Sequence, residues 1–61
     1  MRVELIEAIF GIDASIEEIR KSLASCREYN QLAEGDLILI ENELQDIARW
    51  TRTLRLIAIN D

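Results

Sequence analysis

The sequence predicts an all-α protein, an antiparallel helical hairpin of two long, heptad-patterned helices joined by a turn at about residues 33–36. The chain of 61 residues has no proline and only two glycines, which favours uninterrupted helices. In each half, apolar residues recur at alternating spacings of four and three, a spacing that keeps one stripe of a helix against a neighbouring helix. We therefore expect a single hairpin domain over residues 1–61.

The stripe of the first half predicts helix one. It consists of Leu5, Ile9, Ile12, Ile16, Ile19, Leu23 and Cys26, with Asn30 next in the series. The stripe passes through Gly11, which favours one continuous or kinked helix, although an internal glycine costs roughly 1 kcal/mol relative to alanine.

Two alternatives remain open for the ends of the chain. Ser15 and Glu18 match a capping box, which would start a new helix at residue 16 and leave residues 1–14 with a separate short helix. The branched residues of 3–6 and 54–59 would also suit two strands.

A second stripe predicts helix two. It consists of Leu37, Ile40, Leu44, Ile47, Thr51, Leu54 and Ala58. Between the stripes, Gly35 suits the left-handed residue that closes a helix, and Asp36 can cap the next helix by accepting backbone N–H groups. The short connection makes the helices antiparallel neighbours, with Cys26 opposite Ile40. Thr51, polar and in the middle of its stripe, is a candidate for fixing the register.

Charged residues agree with this hairpin. The predicted register places Arg55 near Asp13 and Arg52 near Glu17. Each exposed pair would contribute only about 0–1 kcal/mol, so such pairs help to set the register more than they add stability.

Composition excludes several classes of function. A net charge of −5 disfavours nucleic acid and anionic membranes. With no histidine and one cysteine, we expect no metal, no cofactor and no enzyme activity. No apolar run is long enough to span a membrane, and Glu4 and Glu7 interrupt any signal-peptide core. We expect a cytoplasmic protein with a reduced thiol at Cys26.

Apolar residues outside the stripes predict a binding surface near the open end of the hairpin. It consists of Val3, Ile6, Phe10, Trp50, Leu56, Ile57 and Ile59. A hairpin hides one stripe of each helix, so this surface needs a further cover, either a second copy in a homodimer or another protein. The two covers are compatible. Trp50 suits an interface hot spot, or it packs into a dimer core or against the flank of helix one.

Three arginines of helix two form a possible basic patch: Arg49, Arg52 and Arg55. Basic residues beside an aromatic one can bind single-stranded nucleic acid. In an acidic chain these arginines more simply complement the dipole of helix two.

The layout over about residues 9–58 resembles the small helical-hairpin proteins that dimerise into four-helix bundles, such as the plasmid copy-number regulator Rop. More loosely, it resembles the hairpin co-chaperones of type III secretion needle subunits. The resemblance implies a homodimer. We expect a small non-enzymatic regulator, inhibitor or co-chaperone that binds a partner protein, as small phage or plasmid proteins often do. The alternatives are a Rop-like bundle that binds structured RNA and a purely structural oligomerisation element.

Overall fold

The computed structural model describes residues 3–60, which form two helices, α1 (Val3–Tyr29) and α2 (Glu34–Asn60). The prediction of an all-α helical hairpin is confirmed, and residues 3–60 contain no strand. Residues 1, 2 and 61 of the predicted domain lie outside the described part of the chain. The hairpin measures 46 × 17 × 11 Å, and its radius of gyration of 14.2 Å exceeds the roughly 10.5 Å of a compact domain of this length.

Helix α1 is continuous through Gly11, as the stripe predicts. The alternative with Ser15 as an N-cap is wrong. Ser15 lies in the middle of α1, and only 5% of its surface is exposed. The capping-box pattern is misleading here because a small side chain at this position is needed for packing against α2.

The turn lies earlier than predicted, over residues 30–33, and Asn30 rather than Gly35 closes α1. Asn30 has a positive φ of 49°, and the N–H of Gln31 donates to the carbonyl of Cys26 at 3.0 Å. This is the six-to-one hydrogen bond that ends a helix after a left-handed residue, a conformation that asparagine tolerates. Gly35 instead belongs to the first turn of α2 and has no positive φ.

Asp36 stabilises the start of α2, as predicted, but it does so from inside the helix. Its Oδ2 atom accepts the N–H of Ala33 at 3.3 Å. In return, the carbonyl of Ala33 accepts the N–H groups of Asp36 at 3.1 Å and Leu37 at 3.2 Å. Ala33 is therefore the capping position, and Asp36 supplies the carboxylate that reaches back to it.

Because the turn comes earlier, the helices pair about one turn out of the predicted register. Cys26 lies against Asp36, with 3.6 Å between Sγ and Oδ2, and not opposite Ile40. The predicted pairs of Arg55 with Asp13 and of Arg52 with Glu17 do not form. The ion pairs among residues 3–60 lie within single helices, at Lys21–Glu18 and Arg49–Asp46.

Small residues of α1 make the seam, by which we mean the contact between the two helices. The buried residues are Ala8, Ser15 and Ser22, seven residues apart along one line of α1. The half-buried residues of α1 beside that line are Leu5, Ile12, Ile19 and Cys26. Opposite them, α2 places the half-buried Asp36, Ile40, Glu43, Ile47, Trp50, Leu54 and Ile57. Only part of each predicted stripe therefore lies between the helices.

Candidate protein-interaction surfaces

The remaining stripe residues form a surface of their own, which we call the apolar side face. It consists of Ile9, Ile16 and Leu23 from α1 with Leu37 and Leu44 from α2. Their exposed fractions are 46, 39, 51, 44 and 53%, respectively. Thr51 continues the α2 line and is also exposed, with its hydroxyl donating to the carbonyl of Ile47 at 2.7 Å.

Helix geometry places both halves of the apolar side face on the same side of the hairpin. In α1, the residue three positions after Ile16 is the seam residue Ile19, and in α2 the residue three positions after Leu37 is the seam residue Ile40. Each line is therefore rotated from the seam in the same sense about its own helix. Since the helices are antiparallel, rotation in the same sense brings both lines to one side.

Charged residues border this face, and their signs differ between the two edges. Counting four positions on from Ile16 and from Leu23 reaches Arg20 and Arg27 on the outer edge of α1. The outer edge of α2 carries Glu34 and Glu41 at the corresponding positions. All four are exposed, and all lie in the half of the hairpin nearer the turn. In the other half the same edges carry Asp13 on α1 and Arg55 on α2, so the signs are reversed there.

The predicted open-end surface is divided between two sides of the hairpin. Val3 and Phe10 are 60% and 67% exposed, and Leu56 and Ile59 are 57% and 71% exposed. Phe10 follows the buried Ala8 by two positions, about 200° around the helix, so it points away from α2. Leu56 likewise follows the half-buried Leu54 by two positions and points away from α1.

The other predicted residues of the open end, Ile6, Ile57 and Trp50, are half-buried. The Trp50 indole covers the backbone of α1 at Gly11. A Cβ atom built on Gly11 would stand 2.8 Å from Trp50 Cδ1 and would overlap Nε1 and Cε2 more closely. Trp50 therefore packs against the flank of helix one, which is one of the placements that the sequence leaves open.

The arginines of the possible basic patch, Arg49, Arg52 and Arg55, are all exposed. One of them is paired, because the Arg49 guanidinium donates to the carboxylate of Asp46 in the preceding turn. The patch thus carries a neighbouring negative charge, which reduces its attraction for a phosphate backbone.

A polar cluster at the closed end was missed by the sequence reasoning. The Ser22 hydroxyl donates to Asp36 Oδ1 at 3.3 Å, and the Cys26 thiol donates to Oδ2. Partial burial raises the pKa of the Cys26 thiol, and the negative charge and hydrogen bond of Asp36 raise that pKa further. The thiol is therefore held protonated, as suits a structural cysteine more than a nucleophile.

An open pocket of about 220 Å³ lies beside this cluster, lined by Ser25, Tyr29, Gln31, Ala33 and Asp36. Within residues 3–60, no three Cys, Asp or Glu side chains are arranged to hold a metal ion. In the same part of the chain, neither helix contains an apolar stretch long enough to cross a membrane.

No protein-family model matches this sequence, and no curated protein or solved structure matches it either.

Proposed function

We propose that this chain is a small non-enzymatic protein that binds a partner protein through apolar side chains at the open end of the hairpin. It would act as a regulator, inhibitor or co-chaperone of that partner. One observation carries the proposal: Ala8 is the one buried hydrophobic residue among residues 3–60, whereas thirteen large hydrophobic residues are exposed. A chain that exposes this many large apolar side chains and buries so few is expected to cover some of them with a binding partner.

The anchors we propose at the open end are Val3 and Phe10 on α1 and Leu56 and Ile59 on α2. Phe10 is the strongest of these, because a large aromatic side chain with few internal contacts can fill a pocket on a partner. Trp50 contributes indirectly, since it is engaged with Gly11 and holds the helices together. The proposal keeps the cytoplasmic location that the sequence predicts, where the Cys26 thiol stays reduced.

Affinity capture from the native host, followed by mass spectrometry, tests the proposal. The double variant Val3→Ser with Phe10→Ser should keep its helicity and lose the captured protein, because neither side chain packs against α2. The matched control is Tyr29→Ser with Leu32→Ser, which removes side chains of similar exposure, 71% and 59%, near the turn. Capture that survives in the first variant would contradict the proposed site.

Salt distinguishes this function from RNA binding by Arg49, Arg52 and Arg55. Apolar docking should persist when the salt concentration is raised from 50 to 200 mM, whereas binding through phosphate contacts weakens steeply over roughly that range. Captured RNA that is released by salt, and lost when these arginines are replaced by glutamine, would favour a nucleic-acid-binding function instead.

A further inference from the structure

We infer that the apolar side face is covered by a second copy of this chain, in a homodimer whose two turns lie at the same end. The face is formed by Ile9, Ile16, Leu23, Leu37 and Leu44. Its residues lie outside the open-end surface, so the dimer does not depend on the proposed function.

The amount of exposed surface supports a second copy. The hairpin exposes 4983 Å², whereas a compact monomer of 7.0 kDa exposes about 4,000 Å². The excess of roughly 900 Å² is close to the ~800 Å² that each partner buries in a standard protein interface. The surplus area of one hairpin is therefore of the size that one partner of a specific dimer buries.

The charges at the edges of the face determine the direction of the second copy. Cys26 contacts Asp36, so Arg27 lies at about the height of Glu34, and Arg20 lies two turns away at about the height of Glu41. A two-fold axis parallel to the helices leaves each residue at the same height along the bundle in both copies. It also places α1 of one copy against α2 of the partner subunit. Arg20 and Arg27 of each copy then meet Glu41 and Glu34 of the partner subunit.

The same arrangement matches apolar residues across the interface. Leu23 meets Leu37 of the partner subunit, and Ile16 meets Leu44 of the partner subunit. Ile9 lies near Thr51 of the partner subunit, which leaves a polar residue at one layer, where it can help to fix the register. The result is a four-helix bundle in which every neighbouring pair of helices is antiparallel.

Dimerisation in this direction also completes the open-end surface. Within one hairpin, Val3 and Phe10 lie on the opposite outer side from Leu56 and Ile59. In the dimer, α1 of one copy is beside α2 of the other, so Val3 and Phe10 lie on the same outer side of the bundle as Leu56 and Ile59 of the partner subunit. This last step depends on the proposed function, because it makes the docking site a product of two chains.

The dissociation constant of the dimer, measured by sedimentation equilibrium, tests the face. Ile16→Gln with Leu44→Gln should keep the helicity of the hairpin and raise the dissociation constant about 100-fold or more, since four apolar side chains per dimer lose their cover. The matched control is Ile38→Gln, which alters a 52% exposed residue off the face and should leave the constant unchanged. A wild-type chain that stays monomeric at millimolar concentration, or a dimer unaffected by the double variant, would overturn the inference.

A charge swap tests the direction. Arg20→Glu alone should raise the dissociation constant about tenfold, because it opposes Glu41 of the partner subunit, and adding Glu41→Arg should restore it. With the turns at opposite ends, Arg20 would instead meet Asp13 of the partner subunit, and Glu41 would lie near Ala48 of the partner subunit. Adding Glu41→Arg would then fail to restore the dissociation constant, a result that overturns the proposed direction.

Partner capture separates the two proposals. The Ile16→Gln with Leu44→Gln variant should lose capture together with dimerisation, although Phe10 is retained. A dimer that forms as described but captures no protein would contradict the proposed function and leave the dimer intact. Full capture by the monomeric variant would show that the docking site needs only one chain.

Discussion

The seam between the helices and the apolar side face each include residues of the predicted heptad stripes, but the buried residues of the seam lie outside those stripes and have small side chains. On α1 the seam is built around Ala8, Ser15 and Ser22, which are buried. The neighbouring line of Ile9, Ile16 and Leu23 carries larger and more hydrophobic side chains and remains exposed.

This difference shows what each surface is built to do. Small side chains on α1 let the larger residues of α2 come close to the helix backbone, as Trp50 does at Gly11. Large exposed side chains at a spacing of seven residues leave hydrophobic area uncovered along the whole hairpin. The seam therefore joins the two helices of one chain, and the side face is suited to a second chain.

Enlarging a seam residue should have the greatest effect on stability. Ala8 has no exposed surface, so Ala8→Leu should force the helices apart and lower the free energy of unfolding by about 1–3 kcal/mol. Urea unfolding followed by circular dichroism at matched protein concentration measures the loss. Ala24→Leu, at an exposed position of α1, is the control and should change stability little. Equal effects of the two changes would mean that the seam is not closely packed at Ala8.

Replacing the two glycines by alanine should change stability in opposite directions. Gly11→Ala would place a Cβ atom into the Trp50 indole, so the gain in helix propensity should be outweighed, with a net loss of about 1–2 kcal/mol. Gly35→Ala meets no atom within 4 Å and should raise stability by about 0.5–1 kcal/mol. Fluorescence of Trp50, the only tryptophan, follows both unfolding curves. A gain in both variants would contradict the close contact at Gly11.

Removing the charge of Asp36 should loosen the closed end. Asp36→Asn weakens acceptors for Ser22, Cys26 and the N–H of Ala33, and we expect a loss of about 1–2 kcal/mol in urea unfolding. Asp46→Asn removes an exposed ion pair within one helix and should cost about 0–1 kcal/mol.

The pH dependence of thiol alkylation gives the smallest and most local effect. Because burial and Asp36 raise the pKa of Cys26, the alkylation rate of the native chain should rise at higher pH than for an ordinary thiol. Asp36→Asn should move that rise to lower pH. The sign for stability follows, since the folded chain keeps the proton longer. The contribution of Cys26 to the free energy of unfolding is fully present at a pH below the thiol's pKa in the unfolded chain. It is lost as the pH rises through the thiol's pKa in the folded chain. If Asp36→Asn leaves the pH profile of alkylation unchanged, the pKa of the Cys26 thiol does not depend on Asp36.

The difference between Asn30 and Gly35 shows why the turn could not be placed from the sequence. Glycine is the commoner residue at the end of a helix, but asparagine also adopts the left-handed conformation. Both sites satisfy local preferences. The earlier turn was favoured by contacts that are distant in sequence, among them those of Asp36 with Ser22 and Cys26.

The sequence predicts the two helices, the continuity of the first helix through Gly11 and the hydrophobic stripes. These features can be predicted because helix propensity and hydrophobic periodicity are properties of residues close together in the chain. Which line of each stripe enters the seam, the register and the packing of Trp50 on Gly11 were decided by the tertiary structure. Those features depend on how closely the surfaces of the two helices can pack against each other. The apolar stripe of each helix is broad enough to allow several rotations and registers of one helix against the other.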